Sequence, residues 1–477
     1  MRWCKENEWP SGRDALDAAS TTGTIAERLG AWSAALSLDD VPAEAAHAAK
    51  RCILDTIGVI VAGSRTPTAE RVRAHVGRNY AGGACTVLGP DAAASPAGAA
   101  LANGMAGHVL DFDDTSYAGI IHGSCIVLPA VLAAAEEGGR DGRALLEAFT
   151  AGVEATYALG LTVTDSHYFK GWWATGTCGA VGAAAGAARA LGLNAAQTSQ
   201  AIGLAAVQAC GMVAFLGTDA KPFMAGRCAT VGLEAALLAG QGLTAPADAF
   251  EDRRGFLQLL NDGGSDAAGL DGLGVSWRLL EPGIFFKRYP ICSAAHAGTE
   301  MTERLVGEAG LGLEDVAEVV CEVPHLVAIS LEHDDPARPT EAQFSMPFAV
   351  GAVLAHGTLG PEHLSAEGLR DPRLRAAMGK VAMREVADLS APEMTRRYPE
   401  SARVTIRTTD GRELTDFLGA PTGMPENPAS DDALGDKFRR CLAFADWPEA
   451  RADALEAALW EIEAAPDVSA LLREDGS

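Results

Sequence analysis

Residues Gly176–Leu193, GTCGAVGAAAGAARALGL, decide the fold. Twelve of the eighteen positions are Ala or Gly, and the spacing predicts a helix over 176–191 with little side-chain bulk. Glycine inside a helix costs about 0.5–1 kcal/mol relative to alanine. Its frequency here points to close helix packing or to backbone lying beside a ligand. Outward from this run, similar Ala-rich sequence predicts helices over 43–61, 128–136, 142–162, 195–217 and 224–239. Upstream, Ile25, Leu29, Trp32 and Leu36 recur at helical spacing, and Asp39–Pro42 separates that helix from the next. Ser95-Pro96 starts a further helix, and Ala84–Pro90 reads as a short extended piece. The whole predicts a compact all-helical body.

After about residue 280 the period changes. Asp315–Pro324, DVAEVVCEVP, alternates apolar and acidic residues, as a half-exposed strand does. Gly379–Asp388 does the same, and Ala402–Thr415 reads as two strands around an Asp410-Gly411 turn. Helical patterns at Phe344–Gly357 and near Leu374 lie between them. The fold class is therefore mainly α: a large all-helical domain (21–284 plus 419–477) with an inserted smaller α+β lid domain (285–418). Asp431–Leu442 and Pro448–Ala464 return to helix. Residues 1–20 read as a flexible leader.

The 477 residues carry a formal net charge of −25, which disfavours nucleic acid or an anionic membrane surface as partner. A local cluster of Lys and Arg can still bind a small anion. Ten dispersed cysteines without a CxxC pair read as reduced, buried thiols of a cytoplasmic protein. No signal-peptide core is present at the N-terminus. The longest apolar run, Ala201–Gly217, is interrupted by Gln208 and reads as a buried core helix rather than a membrane span.

Chemistry concentrates in Gly107–Pro129, GHVLDFDDTSYAGIIHGSCIVLP. Asp111, Asp113, Asp114, Thr115, His108 and His122 lie in apolar surroundings, where charge is costly unless partnered or used. On a helix Asp111 and Thr115 would share a face. Gly119 and Gly123 break a helix, so His122 is expected to return towards that face from a loop. An acid/base pair suits this arrangement, and so does a plain helix terminus capped by Asp-Asp-Thr. No Asp-x-Asp-x-Asp-Gly loop follows, so no metal is expected.

Several motifs occur together: Leu110–Thr115 (LDFDDT), His122–Ala133, Gly176–Leu193, Lys221–Pro246 (beginning KPFMAGR), Phe286–Gly298 (FKRYPICSAAHAG) and Pro421–Ser430. In combination and order they resemble the MmgE/PrpD family, which includes 2-methylcitrate dehydratases, cis-aconitate decarboxylases and iminodisuccinate epimerases. The resemblance spans about 24–464. It implies a helical domain with an inserted lid, a site between them, no metal or organic cofactor, and a homodimer. It places Asp111 and Thr115 on the family's DFDDT site and His122 on the histidine that follows. Lys221 matches the lysine of KPxxAGR, Lys287 the lysine before Tyr-Pro, and Cys292 a position held by Cys or His. Two departures stand out. Trp173 occupies the histidine position of a Gly-Phe-His-Pro-Thr segment, and Met224 occupies another. An indole N–H only donates, so it cannot shuttle a proton. The pocket should be drier and more aromatic, and the substrate unlike the familiar ones.

His122 is the first choice for acid/base work, because imidazole titrates near neutrality; the bland alternative is a core histidine bonded to a carbonyl. Asp111 would orient it or act as base, while Asp113 and Asp114 suit capping. Lys221, with Pro222 in the first turn of a helix, sits where anions are favoured. Arg227 is either a substrate ligand or an internal ion pair. Lys287 and Arg288 add positive charge at the domain junction, or form a solvated linker. His296, at i+4 from Cys292, is divided between site and packing. Cys178 and Cys292 lack a recognisable nucleophile motif. The expected function is a cofactor-independent lyase, dehydratase-type, taking a proton beside a carboxylate of a small di- or tricarboxylic acid. Alternatives are an isomerase or epimerase, a decarboxylase, and a non-catalytic binding protein.

Overall fold

A computed structural model describes residues 23–90, 92–163 and 165–473, the side chain of Asp165 excepted. The expected leader lies outside the described residues. Thr24 and Glu27 form a capping box that starts α1 (Ile25–Ala35). After a single 3-10 turn come α2 (Ala43–Gly63) and α3 (Pro67–Asn79), and then the hairpin β1 (Cys85–Val87) and β2 (Ala92–Ala94). Ser95 caps α4 (Pro96–His108), with Pro96 in the first turn. The body continues with α5 (Ser124–Glu137), α6 (Gly142–Thr162), α7 (Ala174–Leu191), α8 (Ala195–Ala206) and α9 (Ala220–Gly240).

The Ala/Gly run is the hub. Helix α7 packs on α5, α6, α8 and α9, and α9 packs on α4. Close approach explains the glycines. A Cβ at Gly182 would lie 1.8 Å from Thr156 Oγ1, and one at Gly226 would lie 2.3 Å from the Leu101 carbonyl oxygen. Helix α9 is long and apolar enough to cross a membrane, yet most of it is buried inside the fold.

The second region begins with α10 (His296–Ala309) and β3 (Val316–Val323), followed by α11 (Met346–His356). Strands β4 (Val381–Glu385), β5 (Ala402–Thr408) and β6 (Glu413–Leu418) complete a sheet of order β4-β3-β5-β6. β3 runs parallel to β4 and antiparallel to β5, with Val320 opposite both Ala382 and Thr405. Helix α10 packs on β5 and β6, and α11 on β4 and α10. The chain then returns to the body as α12 (Asp431–Phe444) on α2.

Three expectations change. The helix expected over 195–217 stops at Ala206. Gly211, at φ 145°, turns the chain, and Val213 N donates to Gly171 O instead of continuing the helix. This leaves Val207 and Met212 exposed, not in a core helix. Helix α9 starts at Ala220, four residues earlier than expected, so Lys221 falls within its first turn. Helix α4 stops at His108, before the acidic cluster. Asp111 takes a left-handed φ of 48°, and Thr115 pairs with Phe285 in an isolated bridge. Asp111 and Thr115 thus share no helix face.

Candidate active site

The segment between α4 and α5 carries the cluster. A Ser116–Ile121 bridge, with Gly119 at φ 93° in the turn, folds the chain back and delivers His122 just before α5. The loop return expected from Gly119 and Gly123 is therefore present.

Asp111 is buried, and its Oδ1 is 2.6 Å from Lys221 Nζ and 3.1 Å from Lys287 Nζ. Lys287 also donates to the Asp111 backbone carbonyl at 2.9 Å. Burial would raise the Asp111 carboxyl, but the two ammonium groups outweigh it and hold it well below the usual carboxylate range. A carboxylate held so low is a poor base. Burial alone would discharge Lys287; the adjacent Asp111 outweighs that and keeps it charged. The ionised Asp113 lies close by, so the two ammonium groups face two carboxylates. Lys221 also lies 5.3 Å from the centre of the Phe344 ring.

Asp113, not Asp111, orients the imidazoles. Its Oδ2 lies 2.8 Å from His108 Nδ1 and 3.3 Å from His122 Nδ1. His122 Nδ1 is also 2.9 Å from the Asp114 carbonyl oxygen. With two acceptors facing it, Nδ1 must carry the hydrogen, which leaves Nε2 with the lone pair. The His122 backbone N–H donates to Thr175 Oγ1 at 3.0 Å, so the start of α7 fixes the ring's anchor. His122 keeps some exposure, whereas His108 has none. Burial pushes His108 down to about 4 and makes it neutral. Asp113 stays well below its ordinary range: burial opposes ionisation, and the two histidines outweigh it. Asp114 differs. It is buried and receives Ser124 Oγ–H at 2.5 Å, and burial pushes it up to about 7.

The remaining predicted residues divide. Trp173 is buried, 5.5 Å from the His108 ring and edge-on to Phe215 at 5.1 Å, so an indole lines the cluster beside His108. Thr115 donates its hydroxyl to the Ile121 carbonyl at 3.3 Å, closing the turn. Arg288 points away, exposed and paired with Glu303 at 3.0 Å, so it lies outside the cluster. Arg227 is half-buried and has no ion pair among the described residues, which removes the internal-pair reading. Met224 is half-buried against the core. Cys292 precedes α10 in extended conformation and so does not share a helix with His296. Burial pushes the Cys178 and Cys292 thiols up to about 12, which disfavours thiolate chemistry. His296 starts α10 fully buried between the Phe285 and Tyr289 rings, at 5.1 and 5.3 Å, and reads as packing.

Sequence reasoning overlooked Glu400. This buried carboxyl from the turn before β5 accepts from Tyr117 at 2.6 Å and from Ser293 at 2.8 Å. It ties the acidic loop to the Cys292 segment, and burial raises it. Its distance in sequence from every motif gave no signal. Lys437 on α12 was also missed; it pairs with Asp55 at 2.7 Å and donates to the Phe112 carbonyl at 2.8 Å.

Donor atoms of His108, Asp111, Asp113 and His122 fall within 4.8 Å of one another, a span compatible with a divalent ion. The two ammonium groups on Asp111 would repel such an ion. The arrangement instead suits an anionic substrate beside a base.

Comparison with known proteins places these residues in context. The MmgE/PrpD N-terminal domain model matches residues 27–267, and the MmgE/PrpD C-terminal domain model matches 289–462. The cis-aconitate decarboxylase of Aspergillus terreus is 26% identical over 487 residues, covering 96% of this chain and 97% of that protein. The cis-aconitate decarboxylase of Homo sapiens is 28% identical over 403 residues, covering 82% of each.

Proposed function

Since the chain belongs to the MmgE/PrpD family, we propose that it is a cofactor-independent lyase of a small di- or tricarboxylic acid. The observation that carries this reading is the pair of buried ammonium groups on Asp111 beside the free Nε2 of His122. A substrate carboxylate sits against Lys221 and Lys287, at the positive end of α9. His122 Nε2 takes a proton from the adjacent carbon, and Asp113 stabilises the imidazolium that forms. In the dehydratase-type reaction the carbon's electron pair forms a double bond as hydroxide leaves, and the imidazolium returns the proton to give water.

Decarboxylation is the second reading, and the activity of the relatives favours it. There His122 Nε2 first takes a proton from solvent. The C–C bond to a carboxylate then breaks, carbon dioxide leaves with the bond's electron pair left on the carbon, and the imidazolium gives that proton to the carbon. Trp173 beside His108 argues for a substrate shaped differently from cis-aconitate. Incubation of a panel of carboxylic acids in D2O separates the readings. Carbon dioxide release identifies decarboxylation, and ultraviolet absorbance growing with an unsaturated product identifies dehydration. Deuterium incorporation with neither identifies epimerisation. No reaction and no binding across the panel would overturn the lyase assignment.

A further inference from the structure

Three buried ammonium groups, Lys221, Lys287 and Lys437, stand among four buried aspartates, Asp55, Asp111, Asp113 and Asp114. Glu400, tied only to hydroxyls, adds a fifth carboxyl near Asp111. In an interior of low dielectric such an excess of negative charge is not tolerated, so the cluster must hold at least one proton. Partners decide where. Asp111 has two lysines, Asp55 has Lys437, and Asp113 has two imidazole N–H groups.

Asp114 has no cation within ion-pair distance among the described residues. Its Oδ2 meets the Ser124 hydroxyl at 2.5 Å, and its Oδ1 is buried without a hydrogen-bond partner. The groups facing it are Cys52 and Asp55 on α2, Cys125 on α5, Tyr157 on α6 and Asp113 beside it, all neutral or anionic. Lys437 pairs with Asp55 and donates to the Phe112 carbonyl, not to Asp114.

We infer that Asp114 is a positioning residue held as a neutral carboxylic acid, which leaves Asp113 as the carboxylate that pairs with His122 Nδ1. The Asp114 backbone carbonyl receives His122 Nδ1–H at 2.9 Å, so the same residue sets the tautomer of the base. Ionising its side chain adds negative charge behind the Asp111 cage and weakens the hold on an anionic substrate. That second consequence rests on the lyase reading; the protonation state does not.

The test compares Asp114→Asn with the unaltered protein by thermal melts across pH, without substrate. An exposed aspartate loses its proton near pH 4, whereas the buried Asp114 keeps it up to about 7. Stability of the unaltered protein therefore falls across that window by a contribution the variant lacks. The melting-temperature gap in favour of Asn should widen by a few degrees between about pH 4 and about pH 7, then level off. A gap that does not change with pH overturns the assignment. Asp114→Ser, also uncharged, must give the same signature should the Asn variant not fold. Calorimetric titration with cis-aconitate is the second arm. Affinity of the unaltered protein should drop at least threefold more from about pH 6 to about pH 8 than that of Asp114→Asn. Equal drops overturn the charge effect on the site, and absence of binding by either protein counts against cis-aconitate as its ligand while the melts still decide Asp114.

Discussion

Lys287 grips Asp111 twice, with Nζ 3.1 Å from the carboxylate Oδ1 and 2.9 Å from the same residue's backbone carbonyl. The second contact pins the left-handed turn at Asp111, so the lysine shapes the loop as well as charging it. Lys287→Met would leave Asp111 with Lys221 alone and free the buried carbonyl. We expect a loss of about 2–4 kcal/mol, measured by urea denaturation. Adding Asp111→Asn should recover part of that stability and none of the turnover.

His122 presents Nε2 as the base while its backbone is held by Thr175. His122→Asn should lower kcat by about 10²–10⁴-fold on any accepted acid. The melting temperature should change little, because the side chain is partly exposed. Loss of deuterium incorporation at the substrate carbon would accompany the loss in rate. A variant retaining full exchange would move the base elsewhere.

His108 makes the protein acid-sensitive. It is neutral in the fold down to about pH 4, whereas in the unfolded chain it takes a proton near 6.5. Its folded pKa is depressed, so the unfolded state binds more protons between those values and stability falls as pH drops through the window. The full effect is up to about 3 kcal/mol. The stability of the unaltered protein relative to His108→Gln should therefore rise by up to that amount between about pH 4 and about pH 6.5, read from melts of both proteins across that window.

Trp173 can be tested by replacing its indole with an imidazole. Trp173→His should cost about 2–3 kcal/mol through the lost contact with Phe215. It should also raise carbon dioxide release from cis-aconitate by about tenfold or more, by placing a second proton carrier near the pocket. Unchanged specificity would show that the indole does not select the substrate.

Much of this was legible in the chain. The Ala/Gly periodicity located α6 and α7, and the period-two runs located β3 to β6. The motifs drew attention to Asp111, Lys221 and Lys287, and the fold brings these three side chains into contact. The division of labour among the aspartates was not legible. Asp113 orients the imidazoles because Asp111 lies in a left-handed turn, and no periodicity announces such a turn. Arg288 could not be told from Lys287, since only the fold shows one turned to Glu303 and the other inward. Glu400 is joined to the site by tertiary contacts alone.

The contact at Gly226 reaches further than packing. Helix α4 ends at His108 and helix α9 begins at Ala220, with Lys221 in its first turn, while Gly226 lies against Leu101 further along the pair. The two helices behave as the arms of a calliper whose pivot is a missing methyl group. An alanine there would prise the arms apart and widen the gap between imidazole and ammonium at the tips, disabling chemistry without altering any group that performs it.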